Sequence, residues 1–199
     1  MFLQAVGFIV GLLYLWWEYH ADKKVWIASL IMPAISMWIY FSKGLYADFA
    51  INIYYLVITI YGFMTWSHKE GKKNKKPLPI SHASVKVWAG VTVACAILWY
   101  GIWYILFHLT DSTVPVADAF TTALSIVGLW MMARKYAEQW IIWIVVDVVC
   151  SVLYFYKDIP FYGILYALYT VVAFFGYAKW LRLMQDQQDS EASCDNPKH

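Results

Sequence analysis

The sequence predicts an all-α integral membrane protein with seven transmembrane helices, built as two parallel three-helix repeats joined by a linker helix. Three observations carry that prediction. Of 199 residues, 62% are hydrophobic and 14% charged, against about 45–50% apolar and about 25% charged in soluble domains. Much of the charge collects in two places, Lys69–Lys86 and Trp180–His199, which leaves long stretches nearly bare of ionisable groups. The chain also matches itself when shifted by 114 residues. A soluble globular protein is excluded, and a net charge of +2 is too small to suggest a nucleic-acid partner. Aromatic residues make up 20% of the chain, more than insertion into a bilayer requires.

Each span is predicted from an uninterrupted apolar run close to the ~20 residues that cross the hydrocarbon core. The runs are Phe2–Tyr19, Val25–Phe41, Tyr46–Trp66, Val85–Phe107, Val116–Met132, Ala137–Tyr156 and Phe161–Leu181. Backbone groups in lipid must bond internally, and runs without strict alternation favour helices over barrel strands. The first run lacks a cationic flank and a small-residue cleavage site, so it is expected to be a retained helix.

Lysine and arginine set the orientation. The third connection carries Lys69, Lys72, Lys73, Lys75, Lys76 and Lys86 and is expected on the cytoplasmic side. Lys23, Lys24, Arg134, Lys135, Lys179 and Arg182 then fall on that side too, with the N-terminus outside and the C-terminus inside. The expected organisation is a first bundle over 1–66, a Lys-rich cytoplasmic loop over 67–84 and a linker helix over 85–107. A second bundle over 116–181 and a polar cytoplasmic tail over 182–199, poorly ordered beyond Gln185, complete it. The basic loop serves as a topology signal; binding of anionic lipid is the alternative.

In the 114-residue register Trp16 falls on Trp130, Trp26 on Trp140, Ile27 on Ile141, Tyr40 on Tyr154 and Phe41 on Phe155. Lys43 falls on Lys157, Tyr55 on Tyr169, Val57 on Val171, Gly62 on Gly176 and Trp66 on Trp180. Abundant Trp and Tyr inflate such matches, but three Trp pairs and one Gly pair in one gapless register are harder to reach by chance. One helix between two three-helix units leaves both in the same membrane orientation. That parallel-repeat plan is the SWEET-like one, with substrate expected near the midplane between the bundles.

Positions where the repeats differ are candidates for a site, because an asymmetric ligand needs an asymmetric pocket. On the sixth helix Trp140, Trp143, Asp147, Ser151 and Tyr154 form one stripe at spacings of three and four. Asp147 lies about midway, where a carboxylate costs roughly 2.5–3.5 kcal/mol on the insertion scale. Either it handles substrate or protons, or it is paired structurally. Its repeat partner is Pro33, a kink that either gates or only packs. The third helix carries Asn52, Tyr55, Thr59, Gly62 and Trp66 at the same spacing, and the seventh Tyr166, Tyr169, Ala173, Gly176 and Trp180. Asn52, Tyr55, Thr59, Tyr166 and Tyr169 are candidates for substrate contact, with interhelical bonding and packing the alternatives. Trp66 and Trp180, at cytoplasmic helix ends, are expected in the interfacial aromatic belt. Gly7 and Gly11 form a small-residue packing motif.

No enzyme is expected. The chain has no phosphate loop, nucleophile elbow or H-E-x-x-H, and its five histidines lie in loops, at helix ends or in the tail. Cys95, Cys150 and Cys194 are scattered and suggest neither a disulfide framework nor a metal site. No cofactor is implied. A carboxylate flanked by Trp143, one turn back, and Trp140 suits a planar cation, since indole faces attract cations by ~0.5–2 kcal/mol, so Trp143, Asp147 and Trp140 are candidates for substrate contact.

The run ARKYAEQWIIWIVVDVVCSVLYFYKDI, followed by LYALYTVVAFFGYAKW, resembles the PnuC family of bacterial nicotinamide riboside transporters, as does NIYYLVITIYGFMTW in the first half. The resemblance spans roughly Phe2–Leu181. It implies a homotrimer in the bacterial inner membrane and facilitated diffusion of the riboside rather than the nucleotide. It also implies trapping by a cytoplasmic riboside kinase, and Trp143 stacked on the nicotinamide ring. Asp147 stands where some members have Asn. The alternatives are a transporter of another vitamin or a sugar on this scaffold, or a membrane receptor that does not transport.

Overall fold

The computed structural model describes residues 14–30, 46–67, 78–110, 113–158 and 160–195. They form helices: α1 over 14–19, α2 over 24–30, α3 Tyr46–Ser67, α4 Val85–Leu109, α5 Pro115–Ala133, α6 Gln139–Tyr156 and α7 Pro160–Asp195. α3 to α6 begin and end within two residues of the predicted spans. By length and composition, α4, α5, α6 and Tyr162–Ser190 of α7 can each cross a membrane. Pro33, Gly7 and Gly11 lie outside the described residues.

The start and stop signals are local. Ser84 caps α4 by accepting the Val87 N–H at 3.4 Å, and Pro115 opens α5, where its missing N–H costs nothing. After α5 ends at Ala133 and Arg134 caps it, the chain turns at Lys135 in the left-handed region, φ 57°. There Lys135 N–H bonds Met132 O at 2.9 Å and Tyr136 N–H bonds Met131 O at 3.0 Å, the paired bonds that close a helix C-terminus. α7 corrects an expectation: the tail does not fray beyond Gln185 but stays helical to Asp195. The physical reason is the absence of Gly and Pro between Gly176 and Pro197, in a run rich in helix formers.

The chain divides into two compact units, Met1–Pro79 with Asp186–His199, and Ile80–Gln185. In the second unit Val91 of α4, Val127 and Met131 of α5, and Ile142 and Val146 of α6 form a core, with Trp88 and Trp143 packed against it. The segment before α4 is clipped to the α5–α6 turn. Ser81 N–H bonds Lys135 O at 3.1 Å and Ala137 N–H bonds Ser81 O at 3.0 Å. Glu138 accepts the Ala83 N–H at 2.9 Å and meets His82 Nδ1 at 2.6 Å. At the other end of the unit, Lys157 reaches Asp118 at 2.9 and 3.2 Å, tying the α6–α7 turn to α5. α4 contributes Val91 alone to the buried set of its own helix, as expected of an apolar helix whose remaining faces meet lipid or other protein.

The 114-residue register reappears in hydrogen bonds. His20 N–H to Trp16 O matches Arg134 N–H to Trp130 O, and Ala21 N–H to Glu18 O matches Lys135 N–H to Met132 O. Asp22 to Trp17 matches Tyr136 to Met131, Val25 to Asp22 matches Gln139 to Tyr136, and Trp26 to Lys23 matches Trp140 to Ala137. Ala21 at φ 52° is the counterpart of Lys135. The two turns are therefore one local structure written in two different sequences.

Candidate functional site

α6 supplies the centre. Its stripe places Asp147 halfway along the helix, 7% exposed. The carboxylate lies within electrostatic reach of Cys150 on its own helix and of Tyr166 and Tyr169 on α7. Tyr166 stacks on Tyr154 with centroids 5.3 Å apart and planes at 17°, and meets Tyr169 edge-on at 5.7 Å. Tyr154 stacks also on Tyr162, at 5.3 Å and 28°. Ser151 Oγ donates to Gly163 O at 2.8 Å, which fixes α7 beside α6. The second unit thus brings Asp147, Tyr166 and Tyr169 together, three of the residues the sequence nominated. A carboxylate among phenols inside a membrane protein is suited to a cation that also carries hydroxyl groups.

Trp143 is partly buried beside Gly128 of α5, and its Nε1 is buried without a hydrogen-bond partner. An indole N–H with no acceptor is a donor available to a ligand. Trp140 has a different place. It is 1% exposed, its ring lies on Gly176, and it meets Trp180 edge-on at 6.0 Å. Trp66 and Trp180 are buried, at 7% and 0% exposure, which corrects the belt expectation: inside its unit Trp66 packs against Trp26 and Trp180 against Trp140. A position at a helix end fixes depth in the membrane but not which way the side chain faces.

In the first unit Asn52 and Thr59 are buried along α3, with Tyr55 between them. The Thr59 hydroxyl donates to Tyr55 O at 2.6 Å, so its hydrogen is spent on its own helix and only its lone pairs remain for a ligand. Tyr55 lies beside Tyr54, centroids 5.9 Å apart. Gly62 lies under the Trp26 ring, and Trp26 meets Trp66 at 5.6 Å and 86°. Among the described residues no group of three or more His, Cys, Asp or Glu is placed to hold a metal.

Two buried polar residues at the start of α6, Glu138 and Gln139, are not among the candidates read from the sequence. Their signal is the pair of polar residues directly before W-I-I-W, where the first repeat has Lys24 and Val25.

Long apolar helices around a buried carboxylate and tyrosine cluster define a multi-pass helical membrane protein with a polar internal site. The profile of the family described as "Nicotinamide mononucleotide transporter" matches residues 1–182, and the chain belongs to that family. It is 24% identical over 208 residues to the nicotinamide riboside transporter PnuC of Escherichia coli, covering 93% of this chain and 87% of that protein. It is also 24% identical, over 188 residues, to the riboflavin/roseoflavin transporter RibM of Streptomyces davaonensis, covering 92% and 86%. A crystal structure of the vitamin B3 transporter PnuC shares the fold, with a TM-score of 0.65 at 23% identity over 89% of this chain and 80% of that one.

Proposed function

We propose that the protein carries nicotinamide riboside across the bacterial inner membrane by facilitated diffusion. The observation that carries this reading is Asp147, a buried mid-helix carboxylate beside Tyr166 and Tyr169 and one turn from Trp143. The riboside is a planar pyridinium with ribose hydroxyls. The ring stacks on Trp143, Asp147 supplies the counter-charge, and the phenols take the hydroxyls. Asn52, Tyr55 and Thr59 are the first repeat's contribution to binding, and Pro33 the kink that permits gating. Trp140 contributes to binding through its Nε1, which is buried without a partner.

The family description names the mononucleotide, but a phosphate calls for cationic donors. No Lys or Arg lies in 46–66, 87–133, 139–156 or 160–178. The riboside therefore passes, and a cytoplasmic riboside kinase traps it as the nucleotide. In this reading seven helices in the three-plus-one-plus-three plan form each protomer of a homotrimer, N-terminus outside and C-terminus inside. Transport, not catalysis, is the whole activity.

The likeness to RibM favours a second reading, in which another flat vitamin, a flavin, is the substrate. Uptake of labelled nicotinamide riboside into liposomes holding the purified protein decides between them, with unlabelled riboside, riboflavin and nicotinamide mononucleotide as competitors. Uptake above empty liposomes that only the riboside competes away is expected. Folded protein without such uptake sinks the first reading, and uptake that riboflavin competes away at lower concentration than the riboside supports the second. Trp143→Ala is expected to weaken riboside binding by tenfold or more, on the order of the upper range of a desolvated cation–π contact; equal binding refutes the stacking role.

A further inference from the structure

We propose that Gln139 is a specificity-determining residue of the transport site, its side-chain amide pairing with the carboxamide of the substrate while the ring lies at Trp143. The inference rests on the riboside reading above. Gln139 is 0% exposed, and both its Oε1 and its Nε2 are buried without a hydrogen-bond partner. Burying an amide with neither end bonded is unfavourable, so a purely structural role would have to explain why the amide is there. The turn does not need it. The same position in the first repeat is Val25, also 0% exposed, and the backbone bonds match: Val25 N–H to Asp22 O at 3.1 Å, Gln139 N–H to Tyr136 O at 3.2 Å. A valine satisfies this fold, and a glutamine burdens it.

What differs is the neighbourhood along the helix. Trp143 stands one turn on from Gln139, on the same face, and its Nε1 is likewise buried without a partner. Asp147 follows one turn later. Gln139 offers one donor and one acceptor side by side, the complement of a primary carboxamide, which presents the same two groups in reverse. In nicotinamide that carboxamide is bonded directly to the ring, so stacking at Trp143 leaves it within one helical turn, about 5.4 Å.

The test compares nicotinamide riboside with nicotinic acid riboside, which has a carboxylate in place of the carboxamide. Binding of each is measured for the wild type, Gln139→Val and Gln139→Met, with thermal stability in detergent followed in parallel. Wild type is expected to prefer the amide. Both variants should stay folded with an unchanged or higher midpoint and lose about tenfold in amide affinity, with the acid little affected. Folded variants that keep the wild-type preference overturn the proposal. So does a loss of stability in both variants without a change in preference, since that marks Gln139 as structural. A wild type that binds neither riboside defeats the riboside reading itself, which sets that failure apart from the failure of this one.

Discussion

The indole rings of Trp140 and Trp180 meet edge to face, 6.0 Å apart at 84°, and Gly176 leaves the space for the Trp140 ring. The first unit repeats the arrangement with Trp26, Trp66 and Gly62, at 5.6 Å and 86°. Edge-to-face rings place the positive edge of one on the negative face of the other, worth ~0.5–1.5 kcal/mol beyond the area they bury. A Cβ added at Gly176 would stand 2.7 Å from three Trp140 ring atoms. Gly176→Ala should therefore destabilise the folded protein by about 1–3 kcal/mol, and Gly62→Ala similarly. Thermal unfolding in detergent measures both; a midpoint equal to wild type in either variant contradicts the packing described.

The pairs Trp26 and Trp140, Trp66 and Trp180, and Gly62 and Gly176 were legible in the sequence because they are identical at one fixed offset, but nothing in that offset says that the two Trp and the Gly of each set pack together. The bounds of α3 to α6 were legible because hydrocarbon thickness dictates the length of an apolar run. The orientation of Trp66 and Trp180 was not legible, because a helix end can face either lipid or protein and only the partner helix decides. The bond of Glu138 to Ala83, 55 residues away in sequence, depends on two loops meeting and leaves no periodic trace. For the site, the α6 stripe and the α7 tyrosines were readable from their spacing. Gln139 was not, since polarity at the first turn of a helix is ordinary until burial reveals it.

Ala21 and Lys135 hold the same left-handed turn with side chains that disfavour it. An L-residue in that region is costlier than glycine by roughly 1–2 kcal/mol, partly offset by glycine's greater unfolded entropy. Ala21→Gly and Lys135→Gly should each stabilise the protein by about 0.5–1 kcal/mol. A lowered midpoint in the denaturation of both variants would show that the side chains hold the turns.

Glu138 joins the start of α4 to the turn before α6 through two bonds, to Ala83 N–H and to His82. The His82 side chain is more than half exposed, so its bond contributes little. The bond to the buried-side backbone N–H is charge-assisted and worth ~1.5–3 kcal/mol. Glu138→Ala should lose most of that and speed proteolysis between α3 and α4, whereas His82→Ala should change stability by less than about 1 kcal/mol. Equal effects of the two substitutions would place the weight of the clip on His82 instead.

Asp147 separates charge recognition from proton coupling. Asp147→Asn keeps the size of the side chain and one acceptor oxygen, replaces the other with a donor, and removes the charge. If the carboxylate is the counter-ion of the pyridinium, the variant should bind nicotinamide riboside about tenfold to a hundredfold more weakly. The reduced dihydro form of the riboside has a neutral ring, so it gains nothing from the charge, and its binding should fall far less. Facilitated diffusion further requires that a pH gradient imposed on wild-type proteoliposomes drive no accumulation above the external concentration. Equal loss for the charged and neutral forms would assign Asp147 to structure, and gradient-driven accumulation that Asp147→Asn abolishes would assign it to proton coupling.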